Sequence, residues 1–116
     1  EEGAGSGAGV QCACAVGTLS ALIGRMGLEE VALLKIDCEG DELRVLHGLR
    51  PEDWPRVQQV AMEVHDIYGR LDAAVALLRR HGFRVTCAAQ LGGTVRGYEM
   101  VVPATLRLFH VYAVRK

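Results

Sequence analysis

The chain has 116 residues, a formal net charge of −1 at pH 7 and a hydrophobic content of 50%. This size and composition fit one folded domain with its own core, and they exclude a disordered chain and a charged surface that binds nucleic acid. No apolar run approaches the roughly 20 residues of a membrane-spanning helix, no signal peptide is visible and the four cysteines form no disulfide-scaffold pattern, so we expect no membrane association and a cytoplasmic location.

Residues 1–17 form a Gly/Ala-rich N-terminal segment. The glycines of residues 1–7 fit a loop that lets the backbone approach a cofactor, but such a loop should follow a strand and open a helix, so the composition favours a linker or a surface loop. In residues 10–16 apolar side chains alternate at strand period. Cys12 and Cys14 are closer in sequence than zinc ligands usually are, and no metal site is predicted.

Residues 18–48 predict a helix, a strand and a second helix. Thr18 can cap a helix whose apolar residues recur at helical spacing, and Gly27 follows as a stop. The apolar run of residues 31–36 predicts a strand covered on both faces, as in parallel sheets, with Lys35 as the exception. Asp41 can cap a short helix that ends at Gly48.

A second group of elements completes an α/β pattern. Residues 57–64 predict a strand, residues 71–78 a helix with a basic last turn, residues 83–87 a third strand, and residues 106–114 a fourth strand with its even-numbered positions on one face. Residues 88–105 predict a long loop. This order is half of a doubly wound α/β fold.

Polar side chains follow two of the predicted strands. Asp37 and Glu39 come directly after the first strand, and Glu63 and His65 end the second. Ligands of parallel sheets bind at the carboxyl ends of strands, and neighbouring strands lie about 4.8 Å apart, so these side chains can converge on one pocket. They could hold a cationic group, accept a proton from a hydroxyl, or bind a hard divalent ion. Alternatively, the two acids cap the following helix and His65 bonds a loop carbonyl.

These residues resemble the C-terminal half of the FkbM-type family of S-adenosylmethionine-dependent methyltransferases. The family pattern is close to lysine, isoleucine, aspartate, any residue, glutamate, glycine, any residue and glutamate, followed downstream by a Glu-Val-His strand end. In this chain the pattern corresponds to residues 35–42, Trp54 and residues 63–65, and the similarity spans roughly Thr18 to Val85. It implies a partial Rossmann-like methyltransferase fold in residues 18–116, with a mostly parallel sheet and the last strand antiparallel between its two predecessors.

The resemblance also implies a function. It suggests methyl transfer from S-adenosylmethionine to a hydroxyl of a small molecule or sugar, with the main cofactor-binding half outside this sequence, so that the isolated chain binds the cofactor poorly. Asp37, His65 and Glu63 are the predicted catalytic residues, with His65 the first candidate base, and Asp37 and Glu39 are predicted to contact the cofactor. The alternative is a non-catalytic module that pairs through its open sheet edge, as a homodimer or with the missing half.

Overall fold

The computed structural model describes residues 9–90, 93–95, 98–100 and 107–116. The helices and strands are, in chain order, α1 (Leu19–Met26), β1 (Leu34–Ile36), α2 (Glu42–His47), β2 (Gln59–His65), α3 (Arg70–Arg80), β3 (Phe83–Ala89), β4 (Gly93–Val95), β5 (Tyr98–Met100) and β6 (Leu108–Arg115). A single 3-10 turn, Trp54–Arg56, precedes β2. The predicted order of helices and strands is confirmed, whereas residues 9–17 are exposed and contain no strand. No helix in the described ranges is long and apolar enough to cross a membrane.

Local capping explains where the first two helices begin. The Thr18 hydroxyl accepts a hydrogen bond from the Ala21 N–H at 3.1 Å, and Gly27 ends α1 in the left-handed region with φ of 64°, as predicted. Asp41 occupies the N-cap position of α2 and Gly48 ends the helix, as predicted, but the Asp41 side chain makes no capping hydrogen bond. Instead the Glu42 carboxylate accepts the Gly40 N–H at 2.9 Å.

The larger sheet has four strands in the order β1-β2-β6-β3. β1 and β2 are parallel, and β6 runs antiparallel to both β2 and β3. The predicted insertion of the last strand is therefore confirmed, and the architecture is the predicted α/β fold. In the region predicted as a loop, β4 and β5 pair as a separate two-stranded sheet.

The hydrophobic core lies on one face of this sheet. Val60, Met62 and Val64 of β2 are buried with side chains of α2 and α3, including Leu46 and Leu78, and the alternation along β2 follows from the two-residue period of a strand. From β6 the core receives Val111 and Ala113.

The other face, which we call the open face, carries Lys35, Ala61, Glu63, His110 and Tyr112, and none of these is buried. The prediction that residues 31–36 are covered on both sides is therefore wrong for the described part of the chain. The helices α2 and α3 contact β2 and pack on the core face. The even-numbered positions of the last strand share one face as predicted from residue 108 to residue 114, and this is the open face; position 106 lies outside the described residues.

Candidate functional site

Three polar residues form a row across the open face. Ile36, the last residue of β1, is level with Met62 of β2, and the residues that follow them, Asp37 and Glu63, line the same pocket. Glu63 is directly opposite His110 in the antiparallel pairing of β2 with β6. Because adjacent strands are about 4.8 Å apart, the row spans roughly 10 Å.

A shallow pocket of about 270 Å³ lies over this row. Besides Asp37, Glu63 and His110 it is lined by the exposed side chains of Lys35 and Tyr112, with Ala61 as a small residue between them. Two carboxylates and an imidazole in a solvent-accessible pocket can attract a cationic group, accept hydrogen bonds from a hydroxyl, and take up a proton.

Glu39 lies outside this pocket, on the loop between β1 and α2. Its backbone has φ of 48°, and Gly40 follows with φ of 118°, a conformation that suits glycine because it has no Cβ. Glu39 is exposed and is absent from the lining of the pocket that contains Asp37. Between them, partial burial and, secondarily, the charge of Glu42 raise the pKa of the exposed Cys38 thiol.

His65 contacts a different acid from those predicted. It lies two residues beyond Glu63 on β2, and its Nδ1 is 3.8 Å from Oε1 of Glu42 at the start of α2. The Glu42 side chain is 2% exposed and that of His65 is 24% exposed. The sequence placed an imidazole at this strand end but did not predict the buried carboxylate beside it.

Asp66 completes this strand end by joining three elements. Its Oδ2 is 3.2 Å from the Arg107 guanidinium, its backbone N–H donates to the Arg107 carbonyl at 2.9 Å, and its Oδ1 accepts from the Leu71 N–H at 3.4 Å. Asp66 therefore fixes the end of β2 to the start of β6 and to the first turn of α3, and its carboxylate is already engaged.

Two residues of this region were not predicted as site residues. Glu42 is the last residue of the family pattern at residues 35–42, next to Asp41. His110 shares its level with Glu63 only because β6 is inserted antiparallel, which a local pattern cannot reveal. Within the described ranges, no three His, Cys, Asp or Glu side chains come together as a possible metal site.

A second pocket, of about 480 Å³, lies between the residues preceding α1, α1 itself and α2. It contains Arg25, Arg44 and Asp41 but none of the predicted site residues. Asp41 and Arg44 form an exposed pair at 3.8 Å, a type of contact that contributes little to stability or specificity. The pocket on the open face is therefore the stronger candidate.

A solved structure with a similar fold is the precorrin-6y C5,15-methyltransferase from Geobacter metallireducens GS-15. The similarity has a TM-score of 0.53 at 18% sequence identity and covers 80% of this chain and 48% of that protein. The two proteins therefore share this α/β fold.

Three relatives found by sequence comparison have a higher sequence identity to this chain than that structure has. The chain is 54% identical over 67 residues to the 31-O-demethyl-FK506 methyltransferase FkbM of Streptomyces tacrolimicus, covering 58% of this chain and 26% of that protein. It is 44% identical over 90 residues to the AMB antimetabolite synthetase AmbE of Pseudomonas aeruginosa, covering 72% of this chain and 4% of that protein. A third relative, methyltransferase sdnD of Sordaria araneosa, is 43% identical over 60 residues and is covered to 23%.

The chain thus spans about a quarter of the length of FkbM itself, which is covered to 26%. The model of the methyltransferase FkbM domain matches residues 11–85. This range contains α1, β1, α2, β2 and α3, together with Asp37, Glu42, Glu63 and His65. The predicted resemblance is confirmed, and the chain belongs to the FkbM methyltransferase domain family.

Proposed function

We propose that this chain forms the acceptor side of an S-adenosylmethionine-dependent methyltransferase that acts on a hydroxyl of a small molecule or sugar. The observation that carries the proposal is the row of Asp37, Glu63 and His110 over the pocket on the open face. Membership of the FkbM domain family supports methyl transfer as the reaction, and the name of one relative specifies an oxygen as its methylation site. The cytoplasm is the location we expect for it.

The polar groups suit this chemistry. S-adenosylmethionine supplies, when bound, a methyl group already activated by a cationic sulfur, so positioning of the acceptor is the main task left to the protein. Asp37 in the pocket and Glu39 on the adjacent loop provide negative charge for a cationic ligand. Glu63 can accept a hydrogen bond from the acceptor hydroxyl and so orient it.

A base must receive the hydroxyl proton. His65 is the first candidate because a neutral imidazole has a nitrogen that can accept a proton, and it lies on the same strand as Glu63. Asp37 is the second candidate, since it lines the pocket directly. Asp37 directly follows β1 whereas His65 is the last residue of β2, so the two candidates can be substituted separately.

The test uses a longer protein that contains this chain, assayed with S-adenosylmethionine and a panel of hydroxyl compounds for release of S-adenosylhomocysteine. Asp37→Asn and His65→Gln should each lower turnover by about 100-fold or more, the scale of losing a positioned proton acceptor. The matched controls are Asp41→Asn and His47→Gln, which make the same chemical changes at exposed positions of α2 and its N-cap. These controls should retain the parent rate.

Near-parent rates for both Asp37→Asn and His65→Gln would contradict the proposal. They would leave a non-catalytic module that pairs through a sheet edge as the better account. One observation favours that second function: among the described strands, β1 pairs only with β2 and so lies at an edge. Strands in that position recruit other strands when they are not protected.

A further inference from the structure

We infer that Glu42 is a positioning residue for His65: its buried carboxylate accepts a hydrogen bond from Nδ1–H and so leaves Nε2 as the basic nitrogen. The inference concerns a member of the site proposed above and rests on that function for its catalytic meaning. The structural part, the tautomer of His65, can be measured without any cofactor or acceptor.

Burial makes the Glu42 carboxylate unusual among the acids of this region. Glu42 is 1% exposed, although it stands in the first turn of a short helix where the neighbouring Asp41 is exposed. Oε1 receives the Gly40 N–H at 2.9 Å, but Oε2 is buried and has no hydrogen-bond partner. A buried carboxylate is retained in a fold when donors satisfy it.

The imidazole of His65, which faces Glu42, also has a buried polar atom without a hydrogen-bond partner. Nδ1 of His65 is also buried without a hydrogen-bond partner, and it lies 3.8 Å from Oε1 of Glu42. A shift of less than about 1 Å brings this pair to ordinary hydrogen-bond length, and hydrogen bonds at catalytic sites are often long in the absence of substrate. Since Nδ1 is buried, the exposed quarter of the side chain, 24%, belongs to other atoms.

Other charged groups near this strand end are already engaged or lie elsewhere. Asp66 binds Arg107 at 3.2 Å and also the Leu71 N–H. Glu63 lines the pocket on the open face. Arg70 lies near the loop, with its guanidinium 3.4 Å from the position of a Cβ on Gly40. In the described part of the chain, Glu42 is therefore the carboxylate that Nδ1 faces.

The chemical consequence follows from the two nitrogens of a neutral imidazole, one of which donates while the other accepts. A carboxylate can only accept, so Glu42 selects the tautomer with the proton on Nδ1 and leaves a lone pair on Nε2. In water the opposite tautomer, with the proton on Nε2, predominates. The pairing thus determines that Nε2 is the atom of His65 that can take a proton from an acceptor hydroxyl. In the same way, the base of many catalytic sites is oriented by a third group, which here is Glu42.

The experiment is long-range ¹H–¹⁵N correlation NMR of the ¹⁵N-labelled 116-residue chain at alkaline pH, where the imidazoles are neutral. The His65 signals are assigned by their loss in His65→Gln. We expect a protonated Nδ1 and a bare Nε2 for His65 in the parent chain. Glu42→Met, which keeps the length of the side chain but cannot accept the bond, should shift His65 toward the Nε2–H tautomer. Asp41→Asn, a change at the adjacent exposed acid, should leave the tautomer as in the parent.

A parent spectrum showing His65 mainly as the Nε2–H tautomer would overturn the inference, and this outcome does not depend on the folding of Glu42→Met. An unchanged Nδ1–H tautomer in folded Glu42→Met would overturn it equally. Failure of the proposed methyl transfer is a separate result, because it would appear in the turnover of His65→Gln and not in these spectra.

Discussion

The indole of Trp54 stacks on the imidazole of His81, with ring centroids 4.1 Å apart and planes within 3° of parallel. Trp54 belongs to the 3-10 turn before β2, and His81 follows α3. Arg115, at the end of β6, donates to the Val57 carbonyl at 2.9 Å and to the His81 carbonyl at 2.8 Å, and its guanidinium lies 4.3 Å from the ring centre of Phe83. The stack and the arginine together connect the turn before β2, the end of α3 and the end of β6. These contacts lie at the end of the sheet opposite the candidate site.

The first prediction concerns pH. Burial, followed by the charges of Arg80 and Arg115, lowers the pKa of His81 below its usual value. As the pH falls through about 6.5, the unfolded chain therefore binds more protons than the folded chain. The free energy of unfolding should consequently fall as the pH decreases from about 7.5 to about 5.5. His81→Phe keeps an aromatic ring on Trp54 and should lose less stability than the parent from about pH 7.5 to about pH 5.5. Denaturant unfolding at several pH values measures this.

The control for this experiment is His47→Gln, at an exposed position of α2. It should show the same acid dependence as the parent. An identical pH dependence in the parent and in His81→Phe would contradict the prediction.

The second prediction concerns Arg115. Lysine cannot reproduce a planar guanidinium that donates to several carbonyls at once, so Arg115→Lys should lower the free energy of unfolding by about 1–3 kcal/mol. Arg84→Lys is the same change at an exposed position of β3 and should stay within about 0.5 kcal/mol of the parent. Equal midpoints of urea unfolding for the two variants would show that the Arg115 hydrogen bonds contribute no specific stability.

The third prediction concerns the contact of α1 with the end of α2. A Cβ on Gly48 would lie 3.1 Å from the Val45 carbonyl oxygen and 3.3 Å from the Leu19 nitrogen, and backbone atoms cannot move aside easily. Gly48→Ala should therefore lower the free energy of unfolding by about 1–3 kcal/mol, as overpacking does. Thermal or urea unfolding measures the change.

Gly24, inside α1, gives the opposite expectation. A Cβ there meets no atom within 4 Å, so Gly24→Ala should raise the free energy of unfolding by about 0.5–1 kcal/mol through better helix propensity. Equal effects of the two alanines would contradict the close approach at Gly48.

The fourth prediction concerns the cofactor. The 116-residue chain should bind S-adenosylmethionine with a Kd weaker than about 10 μM, or roughly −7 kcal/mol, because the chain covers 26% of FkbM and the pocket on the open face is shallow. Calorimetric titration measures this affinity. Tighter binding would show that this chain carries a sufficient cofactor site.

The fifth prediction concerns self-association. β1 lies at an edge of the described sheet, and the preceding Leu33 is 51% exposed. We expect the chain to associate in solution by pairing β1 with β1 of a second copy, because unprotected edges recruit strands. Light scattering should then report a species larger than a monomer, and the amides of residues 34–36 should exchange slowly.

Leu33→Lys should shift this species toward the monomer, since a charge beside an edge strand opposes pairing. Leu22→Lys, at an exposed apolar position of α1, is the control and should leave the association unchanged. A monodisperse parent with rapid exchange along residues 34–36 would rule out the edge as an interface.

Much of the fold follows from short-range patterns. The helical spacing around Ile23, the cap at Thr18 and the stop at Gly27 are local interactions, and they predicted α1 correctly. The alternation of Val60, Met62 and Val64 predicted β2 and its buried face. The antiparallel place of the last strand came from the family resemblance, because strand order depends on contacts distant in sequence.

The site was less predictable for physical reasons. Asp41 and Glu42 are adjacent acids at the same helix start, and only the docking of α2 beside the end of β2 decides that Glu42 is buried while Asp41 remains exposed. His110 meets Glu63 through a strand register fixed by pairing across more than 40 residues. The one-sided cover of the sheet likewise could not be read from the apolar run of residues 31–36, which shows what a strand can bury and not what lies against it.

The insertion of β6 between β2 and β3 also sets the order of events during synthesis. β2 and β3 leave the ribosome first, but neither pairs with the other in the sheet, and each bonds instead to residues 108–115. At about 5–20 residues per second, these two strands wait for seconds with unpaired edges. A stop codon before residue 108 would therefore remove an inner strand of the four-stranded sheet and not merely its margin.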